Sequence, residues 1–144
     1  MDDLLKDLIE YAIDKKASDI HFVLHNQRLQ IQLRTQNEMI DVYQDIWKPS
    51  FFEYLKFISQ MDLTNPYTPQ SGQFKVYLHN HDIFCRFSIL HNHNIQTGVI
   101  RLLNTKQAIQ IHELSLWKKD TQFFQSLIPL RQGLVLCVGP TNSG

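Results

Sequence analysis

Asp19-Ile20-His21-Phe22-Val23-Leu24-His25-Asn26-Gln27-Arg28-Leu29-Gln30-Ile31-Gln32-Leu33-Arg34 is the stretch from which the rest of the chain can be read. Ile20, Phe22 and Leu24 alternate with Asp19, His21, Val23 and His25. Past Asn26-Gln27, Leu29, Ile31 and Leu33 alternate with Arg28, Gln30, Gln32 and Arg34. A period of two sends successive side chains to opposite faces of a sheet, so the stretch predicts a hairpin with one buried face and a turn near Asn26-Gln27. The clean polar face of its second strand belongs to solvent or to a partner subunit.

Working outward, Leu5, Leu8, Ile9, Ala12 and Ile13 recur at helical spacing. They predict a helix to about Lys16, capped by Asp2 or Asp3, with acids at its start and Lys15 and Lys16 at its end, as the exposed amides and carbonyls of helix ends favour. On the other side of the hairpin, Met39-Ile40 and Val42-Tyr43 suggest a short strand. A helix then begins near Pro49 or Ser50, with Ser50 and Glu53 at capping-box spacing, and ends near Met61. Phe51, Tyr54, Leu55 and Ile58 cover one of its sides. Residues 65–72 read as a loop by composition. Phe74, Val76 and Leu78 mark the next strand and Asn80-His81-Asp82 a turn. A further strand places Ile83, Cys85, Phe87 and Ile89 on one face and Phe84, Arg86, Ser88 and Leu90 on the other. Residues 91–96 read as a loop, and 97–103 as a strand with Val99, Arg101 and Leu103 on one face. The expected fold is α+β, with helices packed on one face of a mostly antiparallel sheet.

Residues 104–112 have the look of a hinge. Beyond them, Asp120 is placed to cap a helix bearing Phe123, Phe124, Leu127 and Ile128 and stopped by Pro129. Leu134-Val135-Leu136-Cys137-Val138 has no polar alternation and predicts a fully buried parallel strand. It leads into Gly139-Pro140-Thr141-Asn142-Ser143-Gly144, whose two glycines have the spacing of a phosphate-binding loop, G-x-x-x-x-G-K-[ST]. Glycines there let backbone amides turn toward phosphate oxygens. The lysine that reaches the terminal phosphates and the hydroxyl that holds magnesium fall past Gly144. The expectation is therefore that these 144 residues alone neither hydrolyse nucleotide nor hold it tightly. The plainer reading of the same glycines is a flexible tail.

Composition narrows the functional classes. Apolar residues make up 43% and charged residues 19% of the chain, a globular balance. Fourteen basic and fourteen acidic side chains cancel, so the large positive surface that non-specific nucleic-acid binding needs is missing, and no direct DNA contact is expected. Cys85 and Cys137 lack metal-ligand spacing and read as buried thiols of a reducing compartment. No signal peptide or membrane span is visible, which suggests a cytoplasmic protein docked on a membrane, if at all, through partners.

Three landmarks carry a family resemblance: Ala17-Ser18-Asp19-Ile20-His21-Phe22; the pair Phe84-Cys85-Arg86-Phe87-Ser88 and Val99-Ile100-Arg101-Leu102-Leu103; and the run from Gln132 to Gly144. In order and spacing, over nearly the whole chain, they resemble the secretion and pilus traffic ATPases, which power type II secretion and type IV pilus extension and retraction. The first landmark comes almost at once, as in the short members: the retraction type and the competence pseudopilus ATPase of Gram-positive bacteria, the second being preferred.

The resemblance implies a PAS-like N-terminal domain over 1–103, a hinge over 104–112, and the start of a RecA-like ATPase domain over 113–144 that stops inside the Walker A loop. It implies a hexameric ring on the cytoplasmic side of the membrane, working with ATP and Mg2+ and an inner-membrane platform protein. The competence version would support DNA uptake by driving pseudopilus assembly without touching DNA.

The same resemblance implies nucleotide-binding roles for Gly139, Pro140, Thr141, Asn142, Ser143 and Gly144, and for Arg86 and Arg101 as arginines that approach the phosphates. Read from the residues alone, each of those arginines interrupts an apolar strand pattern. A carboxylate partner, a side chain snorkelling at a sheet edge or a phosphate ligand would each explain it. Asp19 and His21 share a strand face, lack a third ligand, and read as structural or as part of a subunit contact. The segment 91–98 departs from the family: its proline is gone, and Val99 stands where an acid usually follows Gly98. Asn142 replaces the commoner glycine of the loop. A rival reading is a PAS-like interaction module with no ATPase role.

Overall fold

A computed structural model describes residues 1–36, 38–42, 47–65, 67–92, 94–103, 111, 117–136 and 138–139. The chain divides into two compact units, Met1–Lys106 and Gln107–Gly144. The first is α+β. It contains α1 (Asp2–Asp14), β1 (Asp19–His25), β2 (Arg28–Arg34), β3 (Met39–Asp41), α2 (Pro49–Ile58), β4 (Gln70–Leu78), β5 (His81–Asn92) and β6 (Ile95–Leu103). The strands form one six-stranded sheet in the order β3-β2-β1-β6-β5-β4, and every pairing is antiparallel.

The helices form because their apolar residues recur on one side. In α1, Leu5, Leu8, Ile9 and Ala12 are buried; in α2, Phe51, Phe52 and Leu55 are. These stripes meet the inner face of the sheet, where Ile20, Phe22, Ile31, Leu33, Cys85, Phe87 and Ile100 complete the core. Phe22 lies at its centre, with ring centroids 6.4 Å from Phe51, 6.4 Å from Phe52 and 5.9 Å from Phe87. Lys56 is also buried. Its ammonium donates to Glu53 Oε1 at 3.0 Å, one turn back, and lies over the Phe52 ring. Burial lifts the Cys85 thiol to a pKa of about 12, so it is an inert core residue.

Several local expectations are corrected. No side chain caps α1 or α2; Met1 and Lys48 hold the cap positions, so neither Asp2, Asp3 nor Ser50 serves there. Asp2 instead accepts a hydrogen bond from the Tyr54 hydroxyl at 2.6 Å, tying the start of α1 to α2. Gln70, Ser71 and Gly72 begin β4 rather than end a loop: at Gly72 the strand backbone runs so close to Ser59 that a Cβ would collide with its carbonyl oxygen. The β4–β5 turn falls on His79 and Asn80, both at positive φ, and His81 and Asp82 already belong to β5. Most of the expected loop over 91–96 is strand, with Asn92 paired to Ile95.

In the second unit, α3 (Lys118–Leu127) has Trp117 at its N-cap, with Asp120 inside the first turn rather than capping it. Leu134, Val135, Leu136 and Val138 form no strand and are exposed, Leu134 at 81%. A parallel strand exists only through neighbours, and none of the described residues pairs with this run. The hinge residues apart from Ile111, and Cys137, lie outside the described residues. No helix among the described residues is long and apolar enough to cross a membrane.

Gly98 is buried opposite Phe22 on β6. A Cβ there would stand 2.6 Å from Phe87 and 2.8 Å from Phe52 ring carbons. Gly98→Ala should therefore destabilise the first unit by about 1–3 kcal/mol, as overpacked cores do, checked by urea unfolding. Unchanged stability would show that the rings can shift at no cost.

Candidate functional site

The helices of the first unit, α1 and α2, pack on the inner face of the sheet, and the strand registers set the contents of its outer face. Asp19 pairs with Arg34 on β2 and with Arg101 on β6, Arg101 pairs with Arg86 on β5, and Arg86 with Gln73 on β4. Because directly paired residues point to the same face, one row across the sheet reads Arg34, Asp19, Arg101, Arg86, Gln73. Arg86 and Arg101, singled out from the sequence, are thus immediate neighbours on one face. A next row holds Gln32, His21, Val99 and Ser88.

Asp19 is 3% exposed although it lies on the open face. Its Oδ1 accepts a hydrogen bond from Arg101 Nε at 2.8 Å, and its Oδ2 accepts one from the Ser18 hydroxyl at 2.8 Å. The Arg101 side chain itself is 62% exposed. Burial pushes the Asp19 carboxyl upward, but the bonds from Arg101 and Ser18 outweigh it, leaving the group below the usual carboxylate range. Among the described residues, Arg86 and Arg34 have no ion pair. The row therefore sets three guanidiniums against one carboxylate, and such an arrangement attracts an anion with several oxygens.

His21 is neighboured by this charge. Burial lowers its pKa; the Asp19 carboxylate opposes that, while Arg34 and Arg101 add to it. Its Nε2 is buried without a hydrogen-bond partner among the described residues. No group of His, Cys, Asp and Glu among the described residues could hold a metal ion. Of the glycine-rich loop, Gly139 is exposed and outside any strand, while Pro140, Thr141, Asn142, Ser143 and Gly144 lie outside the described residues.

The sequence profile of the type II/IV secretion system protein family matches residues 1–144. The chain belongs to that family. It is 31% identical over 142 residues to competence protein ComGA of Bacillus subtilis, covering 96% of this chain and 40% of that protein. It is 30% identical to the protein transport protein HofB homolog of Haemophilus influenzae, covering 98% of this chain and 31% of that one. With the type II secretion system ATPase E of Vibrio cholerae it shares 26% over 98% of this chain and 29% of the relative. The chain thus spans less than half the length of each of these family members, and the identities lie too close together for one relative to stand out.

Two further members of the row are Arg34, which the sequence puts on a polar strand face, and Asp19, read from the sequence as structural or as part of a subunit contact. The two-residue turn at Asn26-Gln27 sets them opposite each other.

Because the folded state holds His21 below its ordinary value of about 6.5, the unfolded chain binds more protons as pH falls through 6.5. Stability is present above that pH and is lost below it. The melting temperature should therefore fall between pH 7.5 and pH 5.5, and less so in His21→Gln. An equal fall in the variant would assign the effect to other groups.

Proposed function

We propose that this chain is the N-terminal part of a hexameric ATPase that powers pilus or pseudopilus assembly, and that Arg86 and Arg101 are its phosphate ligands toward nucleotide. The observation that carries this is their direct pairing on the open face, with one guanidinium exposed beside its carboxylate and the other free of ion pairs among the described residues. Planar, permanently charged forks on neighbouring strands suit phosphate oxygens better than they suit each other.

In this reading the first unit is the PAS-like domain and the second begins a RecA-like ATPase domain. The loop Gly139–Gly144 supplies backbone amides to the phosphates, and the hydroxyl that follows a complete loop of this type would hold Mg2+. When bound, ATP supplies the hydrolysable anhydride. The chain's own arginines bind and orient its phosphates, and report its presence by drawing the two domains together about 104–112. Subunits around the ring would then act in turn on an inner-membrane platform protein from the cytoplasmic side. The similarity to a competence protein favours DNA uptake as the process served, with no DNA contact by this domain. A secretion motor is the second reading, favoured by relatives named for type II secretion that match over the same span.

In the full-length protein, Arg86→Ala and Arg101→Ala should each lower ATP turnover at least about tenfold, the scale of losing one charged contact to a reacting phosphate. Unchanged turnover in both variants, each folded by circular dichroism, would remove the role.

A further inference from the structure

We infer that Asp19 is a positioning residue for Arg101: it clamps the guanidinium at Nε so that the two terminal amines remain aimed at an anion. The inference rests on the reading of Arg101 as a phosphate ligand, and concerns how that ligand is held.

The geometry is asymmetric in a way that a simple stabilising pair does not need. The carboxylate is 3% exposed, while the side chain it binds is 62% exposed. The contact is made through Nε at 2.8 Å, which leaves both Nη groups without a partner among the described residues. Asp19 is itself immobilised. Its second oxygen takes the Ser18 hydroxyl, and Ser18 is fixed by backbone bonds, its N–H donating to the Arg34 carbonyl at 2.9 Å and its carbonyl accepting from Leu102 N–H at 3.1 Å. The acid is therefore a rigid post rather than a mobile surface charge. Two arginines flank it in register, Arg34 and Arg101, yet its ion pair is with Arg101, the one beside Arg86. Holding Arg101 from the β1 side sets its charge against Asp19 and away from its like-charged neighbour on β5. A guanidinium holds its five donors in a rigid plane, so that with Nε fixed on a carboxylate its Nη groups are directed elsewhere; a lysine ammonium is a single rotatable point charge, drawn onto the carboxylate with no second group held in a set direction.

The test uses the full-length protein with ATP, following kcat/KM and melting temperature. Asp19→Asn keeps the shape and an acceptor oxygen but removes the charge; it should lower kcat/KM about tenfold or more, as misplacing a ligand does. In an Arg101→Ala background, Asp19→Asn should cause no further loss, because its effect passes through Arg101. Arg101→Lys should fall nearly as far as Arg101→Ala, which tests the clamp without touching the buried acid if Asp19→Asn does not fold. A folded Asp19→Asn with unchanged kcat/KM, losses that multiply in the double variant, or an Arg101→Lys with full turnover would overturn the inference. These outcomes differ from failure of the underlying reading, in which Arg101→Ala itself leaves turnover unchanged.

Discussion

Beneath β1, the rings of Phe22, Phe51, Phe52 and Phe87 close on one another, and the outer face depends on how they close. Phe52 and Phe87 meet at 5.6 Å, edge to face, in the space that Gly98 leaves by having no side chain. Aromatic contacts of this kind contribute about 0.5–1.5 kcal/mol each beyond the area they bury. Their larger effect is on register. A slip of one residue along β1 would turn Phe22 outward and Asp19 inward, and a slip along β6 would turn Ile100 outward and Arg101 inward, because side chains alternate with a period of two. The packing that holds Phe22 inside therefore also holds Asp19 opposite Arg101, and the adjoining pairing of β5 holds Arg86 next to Arg101. The core is what gives the outer row its order.

That row is not arranged for stability. Like charges directly across a pair of strands repel, and an ion pair whose cation is mostly exposed contributes little. Burying Asp19 costs desolvation, which two hydrogen bonds offset. A sheet selected for stability alone would do better with threonines or valines at these positions. On the proposed reading a further negative group completes it: the two like charges that the register sets side by side would be relieved by an anion that bridges them. This is the same preorganisation by which fixed charges bind a phosphate without first having to be assembled.

Much of the fold was legible because burial writes a simple period into the sequence. The hairpin Asp19–Arg34 and the faces of β5 and β6 followed from alternation, and the stripe of α1 from helical spacing. What escaped were features with no period. Caps failed because residues that can cap need not; Asp2 had a better partner in Tyr54. The polar run after Leu90 looked like a loop, but its residues sit on strands whose outer edge is open to solvent, where alternation fades. That misreading left the register of β5 and β6 unread: the pairing of Asn92 with Ile95 is the one that brings Arg86 level with Arg101. Phe52 and Lys56 were missed because α2 buries a wider arc than one stripe. The apolar run after Gly133 read as a buried strand, but apolar character records a tendency to be covered, and the covering neighbours are a separate matter.

Val99 is informative for the same row. It occupies the place where the family resemblance leads one to expect an acid, directly across from His21 on β1 and two residues from Arg101. An acid there would face the same side as the arginines. It would offset part of their charge and favour the protonated form of His21. Valine does neither. It sits in register with an imidazole whose pKa is lowered chiefly by burial, and it leaves Asp19 as the carboxylate within the row. The consequence is electrostatic concentration: with one fewer negative group beside them, Arg101 has Asp19 as its carboxylate partner, and on the proposed reading the arginines would pull more strongly on an anion at the outer face.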